Sequence, residues 1–345
     1  MSRRIAFCAD GTWDGTSNNT NVFRMYNAIT AIPGEQYKFY DPGVGANGQP
    51  IEKLAAGAFG AGLFQKIKDA YGSIAGVYEE GDEIFIFGFS RGAYTARSVA
   101  GMIAACGLPT KNPDPNQVEV AFNAYRHKDQ RASLLATLGS YNMVTPFITM
   151  VGVWDTVGSL GVPAVIGGVD PALFGFLDTS LNPRIRNAYQ AVAIDEKRVE
   201  FPPTLWTGDP APDQTVSQVY FCGVHSDVGG GYADDPGTGT ALSDITLSWM
   251  MRKAQALGLV IDPAALAWYS FPSPSKNALD TKHESWSPLW LFPKPRTIVS
   301  KAALANSVLL RCQHDDSYRP RNLTLQSSGL PATDYISENV VLIEP

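Results

Sequence analysis

Cysteine and histidine are scarce in this chain. Four cysteines, Cys8, Cys106, Cys222 and Cys312, are scattered through 345 residues with no C-x-x-C pair and no regular spacing. That pattern argues against a disulfide framework, and Cys8 and Cys222 fall in apolar runs that read as buried thiols in strands. Such a chain is expected to be made in a reducing cytoplasm. No run of Lys or Arg occurs, and the formal net charge is −6. Nucleic acid is therefore not an expected partner, because its phosphates call for a clustered positive surface. No stretch approaches the roughly 18 uncharged apolar residues of a membrane-spanning helix. The N-terminal MSRRIAFCAD starts basic, but Asp10 ends its apolar run after five residues. That is too short for the core of a secretory signal, so any export is expected to use a signal-independent secretion system. Internal repeats, low-complexity tracts and long linkers are also missing, and residues 1–345 are expected to form one domain.

What is present is largely apolar. Hydrophobic residues make up 45% of the chain and charged ones 17%, enough for one large core. RRIAFCAD reads as a strand ending in an Asp-Gly turn. NNTNVFRMYNAI follows as a capped helix, with Val22, Met25, Tyr26 and Ile29 at helical spacing. YKFYDPGVGA reads as a second strand, and Gly62 to Tyr78 as an amphipathic helix with Leu63, Ile67, Tyr71 and Ile74 on one face. FITMVGVWD and VSQVYFCGV supply later strands, and ALSDITLSWMMRKAQALG a further helix. Strands alternating with helices predict an α/β fold of the α/β-hydrolase kind, a mostly parallel sheet with helices on both faces.

The segment DEIFIFGFSRGAYTARSVAGMI, from Asp82 to Ile103, combines two of these patterns. Its apolar start predicts a strand buried on both faces, and Ala93, Ala96, Val99, Ala100 and Ile103 predict a helix. Between them Gly88-Phe89-Ser90-Arg91-Gly92 matches G-x-S-x-G, which places a serine on a strained strand-to-helix turn with its hydroxyl exposed. A nucleophilic serine needs a base, and the base needs an acid to orient it. Of the four histidines, His127, His283 and His314 lie in polar stretches and read as solvated surface residues. His225 directly follows a buried run, and Asp155 closes the run MVGVWD. Sites in open α/β sheets form beyond the carboxyl ends of strands, so Ser90, Asp155 and His225 are the candidate nucleophile, acid and base. Their order along the chain is also that of α/β-hydrolases. Asp227, two residues after His225, is the second-choice acid, whereas Asp195 and Glu196 beside Lys197 and Arg198 read as a structural ion pair. The oxyanion donors are expected to be the backbone N–H of Arg91 and an N–H from the Gly11–Thr12 loop. Asp155→Asn is expected to leave the fold intact.

Two long segments, 160–183 and 268–298, are rich in Gly and Pro or in Pro and aromatics, and suit a lid or pocket wall as well as ordinary surface loops. CADGTW is similar to the D-x-D-G-T loop of dehalogenase-like phosphatases, but Cys8 stands where the nucleophilic Asp belongs. A catalytically silent binding domain on the same fold is the alternative reading. No metal and no cofactor are expected, and the acids of HSDVGGGYADD read as a solvated loop rather than a calcium site.

Several motifs together carry a family resemblance. DGTW (10–13), DPGVG (41–45), GDEIFIFGFSRGAYTAR (81–97), GVWDTVGS (152–159), AVAIDEKRVEF (191–201), GVHSDVGGGY (223–232) and YRPRNL (318–323) occur in order over nearly the whole chain. In these the chain resembles the bacterial and fungal α/β-hydrolase domain family that includes the type VI secretion phospholipase effectors. The resemblance implies Ser90 as nucleophile, Asp155 as acid and His225 as base of a lipase, phospholipase or esterase. It also implies an ester or lipid substrate, transient contact with a membrane surface and, for a secreted effector, an immunity protein as partner. The chain differs in having Asn306-Ser307-Val308 where many relatives carry a His, and it is too short for the additional membrane-anchoring module of the toxin members.

Overall fold

The computed structural model describes residues 2–11, 19–43, 56–109, 113–139, 143–157, 180–269, 277–287, 290, 292–298, 302–323 and 340–341. The chain opens with β1 (Arg4–Ala9), α1 (Asn21–Ala28), β2 (Gln36–Asp41), α2 (Ala56–Val77), β3 (Glu83–Phe89) and α3 (Arg91–Cys106). A short antiparallel pair, β4 (Leu108–Pro109) and β5 (Met143–Val144), brackets α4 (Pro115–Arg126) and α5 (Arg131–Thr137). Then come β6 (Met150–Trp154), β7 (Asn187–Ala193), β8 (Thr215–Phe221), α6 (His225–Gly229), α7 (Leu242–Ala256) and α8 (Pro263–Tyr269). The last described elements are β9 (Ala303–Ala305), α9 (Asn306–His314) and β10 (Val340–Val341).

Among the described residues, eight strands form one sheet in the order β10-β9-β8-β7-β6-β3-β1-β2, and every neighbouring pair is parallel. Parallel strands covered on both faces have no solvent side, which is why β1 and β3 are apolar without alternation. Successive side chains still point to opposite faces. Ile5, Phe7, Ile84 and Ile86 join one core with Ile67 of α2, Val99 of α3 and Phe122 of α4. Ala6, Cys8, Phe85 and Phe87 join the other with Met25 of α1, Trp249 of α7 and Val308 of α9. The helices are capped as their sequences suggest: Thr20 Oγ1 accepts from Phe23 N at 3.2 Å, and Asp114 with Gln117 makes a capping box on α4. All four cysteines are free and buried. Among the described residues no helix is long and apolar enough to cross a membrane.

The α/β layout follows the expectation, with two differences. Strand β7, NAYQAVA, lies between β6 and β8 but its sequence does not announce it. Its polar Gln190 is fully buried, satisfied by Thr156 Oγ1 at 2.7 Å and Thr204 O at 3.1 Å. Helix α2 also starts earlier than Gly62, at Ala56. The strand order reverses around β1, which has β2 on one side and β3 on the other. The crevice beyond the carboxyl ends of β1 and β3 is the place where such sheets hold their ligands.

Candidate active site

Ser90 stands in that crevice. It follows β3 directly, its N–H donates to Trp154 O at 3.0 Å, and it precedes the first residue of α3 with φ 57° and ψ −119°. A non-glycine residue at such a φ is strained, and only tight packing on both sides maintains it. The glycines of the motif supply that packing. A Cβ on Gly92 would lie 2.1 Å from Ala9 O, and one on Gly88 would lie 2.4 Å from Gly92 O. These close approaches bring the first turn of α3, and with it the N–H of Arg91, against the end of β1.

His225 opens α6, four residues after β8 ends. Its Nε2 lies 2.8 Å from Ser90 Oγ, and its Nδ1 lies 2.6 Å from Asp155 Oδ2. The ring is set between Phe89, tilted at a centroid distance of 4.6 Å, and Phe201, edge-on at 5.0 Å. Asp155 follows β6 at φ 43°, a second strained non-glycine residue at a strand end, and its N–H donates to Ala191 O at 2.8 Å. The three residues named from strand ends are thus hydrogen-bonded in series. Asp227 is not part of the series, which corrects its place as the reserve acid. Its carboxylate accepts from Val224 N at 3.0 Å and faces His283 Nδ1 at 2.7 Å, away from His225. His283 is accordingly no free surface histidine: it is bound to Asp227 and stacked on Tyr232 at 3.8 Å.

The oxyanion expectation divides. Arg91 is the first residue of α3, at the positive end of that helix. The N–H of Gly11, however, donates to its neighbour Asp10 Oδ1 at 2.9 Å, so Gly11 is corrected as a donor. Asp10 is itself held by Thr20 and Tyr40, which fixes that carboxylate beneath Gly11. Thr12 lies outside the described residues, as does most of the candidate lid 160–183.

Sequence reasoning missed the groups behind the acid. Arg296 donates from Nη1 to Asp155 Oδ1 at 2.6 Å and from Nη2 to Oδ2 at 2.8 Å. The same guanidinium also donates to Ala193 O and Phe201 O. The signal available was an arginine in a proline-rich stretch with no Asp or Glu anywhere between Glu284 and Asp315. The pair Glu196–Arg198, anticipated as structural, adds a second role: Glu196 Oε2 accepts the backbone N–H of His225 at 3.2 Å. Arg198 lies over the Phe201 ring at 3.6 Å, and Trp290 packs edge-on against Phe201. The described part of 268–298 therefore forms a brace along the back of the site, through Ser285 on Glu196, Trp290 on Phe201 and Arg296 on Asp155.

Burial alone would push the Asp155 carboxyl up, but Arg296 and the bond to His225 outweigh it and hold the group ionised well below the usual range. Glu196, for which burial is likewise opposed by Arg198, is held down to about 2. For His225 burial dominates over the attraction of Asp155, and its pKa is lowered from 6.5. A depressed value keeps the ring neutral in the folded protein while the unfolded chain takes up its proton near 6.5. Stability from this group is therefore complete above pH 6.5 and declines as pH falls toward the folded pKa. Chemically, the site offers a hydroxyl bonded to a neutral imidazole, backed by a carboxylate that its partners hold ionised.

An uncharacterized protein of Saccharomyces cerevisiae, YEL023C, is 28% identical over 245 residues. The match takes in 63% of this chain and 35% of the yeast protein, so the chain spans about a third of that relative's length. Two solved structures are similar at a TM-score of 0.47. One is an uncharacterized protein from Pseudomonas aeruginosa, 17% identical, covering 77% of this chain and 47% of that one. The other is the Tle1 effector bound to the VgrG spike from the type 6 secretion system, 14% identical, covering 87% and 82%. The family described as T6SS, phospholipase effector Tle1-like, catalytic domain matches residues 3–253, which hold Ser90, Asp155 and His225, and the chain belongs to that family.

Proposed function

We propose that the chain hydrolyses carboxylic esters of lipids by a serine mechanism. The carrying observation is the unbroken series from Ser90 Oγ through the His225 ring to Asp155, built on a strained serine at the end of β3. Membership in a phospholipase effector family supports a lipid ester as substrate and secretion-dependent export. Ser90 Oγ attacks the acyl carbon while His225 Nε2 takes its proton. Asp155 fixes the Nδ1–H tautomer and stabilises the imidazolium that forms, and the Arg91 N–H at the positive end of α3 receives the oxyanion. His225 returns the proton to the leaving alcohol. It then activates a water that releases the acyl group from Ser90. Ser90 and His225 are only 4% and 5% exposed, so the reacting pair is largely shielded from bulk water.

A fluorophosphonate probe tests the reading. Intact mass is expected to gain one adduct in the wild-type protein and none in Ser90→Ala. No adduct on a folded wild-type protein would move the silent binding domain to first place. The lowered His225 pKa adds a second expectation, since the base must be neutral to work. The kcat/KM of a water-soluble ester should stay level as pH falls through 6.5 and drop only below it. A midpoint at or above 6.5 would contradict the buried, neutral imidazole.

A further inference from the structure

Among the described residues two acids approach His225, and each is bound by a buried or half-buried arginine. Asp155 meets the ring and is gripped by Arg296, and Glu196 meets the backbone N–H and is gripped by Arg198. Tyr220 of β8 lies beside the Asp155–Arg296 pair, and Asp227, on the helix of His225 itself, turns to His283. Among the described residues, the His225 ring and backbone thus meet two carboxylates balanced by two guanidinium ions, and the ring also meets Ser90 Oγ, Phe89 and Phe201.

The Asp155 side chain is fully buried. An ionised carboxylate in such a place is stable only when paired and fully hydrogen-bonded. Its two oxygens accept Ala193 N–H, both Arg296 Nη groups and His225 Nδ1–H. Arg296 binds Ala193 O and Phe201 O at the same time, so it ties the acid to the end of β7 and to the ring that packs against His225. A planar guanidinium can make this two-point grip, and an ammonium cannot.

We propose that Arg296 is a positioning residue of the site, one that keeps Asp155 ionised and oriented and thereby keeps His225 neutral when the enzyme is at rest. Without it, the imidazole would be the one titratable partner left on Asp155 among the described residues. The carboxylate would then draw a proton onto His225, and less of the protein would hold a free base at neutral pH.

The inference rests on the hydrolase reading for its rate effects, and the test separates the two. Ring NMR of the histidines, assigned with His225→Gln, follows the His225 titration whether or not the protein turns over. In Arg296→Gln the His225 pKa and the acid limb of kcat/KM are both expected to rise by on the order of one pH unit. Arg296→Lys keeps the charge but loses one bond. Its titration should stay near wild type, while kcat falls roughly tenfold with little change in KM. A folded Arg296→Gln protein with an unshifted His225 titration overturns the proposal. If that variant does not fold, Arg296→Lys decides alone, and wild-type kcat in it overturns the two-point grip. Loss of fluorophosphonate labelling in the wild type would sink the hydrolase reading, yet the titration would still judge Arg296.

Discussion

Asp155→Asn is expected to lower kcat on a soluble ester by about 10⁴, the cost of losing the acid that sets the histidine tautomer in a Ser-His-Asp arrangement. On sequence grounds the fold should be untouched, and here the structure changes the expectation. The substitution strands the Arg296 guanidinium, 7% exposed, without its counter-ion. Breaking one partner of a buried pair costs about 3–5 kcal/mol. The variant should therefore unfold at lower urea as well as turn over slowly. The two losses can be separated. Asp155→Asn combined with Arg296→Met removes both charges and should recover much of the stability, because a neutral, well-packed replacement of a buried ion pair is often tolerated. It should recover none of the activity. An Asp155→Asn protein with unimpaired turnover would remove Asp155 from the mechanism. A double variant no more stable than the single one would mean that the pair contributes little to the fold.

Gly92→Ala should be the most damaging single methyl in the α3 turn. Its Cβ would sit 2.1 Å from Ala9 O and 2.5 Å from Asp10 O, both backbone atoms at the end of β1. Strand β1 is paired on both sides and cannot step back, so α3 must lift away from the sheet. Overpacking of this kind typically costs about 1–3 kcal/mol and sometimes more. The larger effect should be on chemistry, because Ser90 is carried on the same turn. A displacement of about 1 Å at a reacting group costs on the order of 10² in rate. Thermal melting and the rate of fluorophosphonate labelling measure the two losses. Gly72→Ala, on α2 with nothing within 4 Å of the new Cβ, is the control and should be neutral or stabilising by up to about 1 kcal/mol. Wild-type melting and labelling in Gly92→Ala would show that contact between α3 and β1 does not set the serine.

The sequence by itself determined the α/β alternation, the strand-to-helix turn at Ser90 and the strand end that carries Asp155; His225, read as a strand end, opens α6 four residues beyond β8. These are local signals: apolar runs of strand length, helical spacing, and a serine between two glycines, each readable within about ten residues. Strand β7 escaped because Gln190 interrupts its apolar run, and a buried Gln is explained only by Thr156 and Thr204, which supply its bonds. The tertiary structure alone decided how the chemistry is held. Asp155 and Arg296 are 141 positions apart, and His283 reaches Asp227 across 56. Neither pairing leaves a periodic trace in the chain, since an ion pair needs only two side chains to meet. The sequence ranked Asp155 ahead of Asp227 by its place after a buried run, and the folded chain turns the Asp155 carboxylate toward the imidazole. Folding puts Asp155 there because β6 and β8 run parallel in one sheet, so the residues beyond both carboxyl ends emerge on the same side.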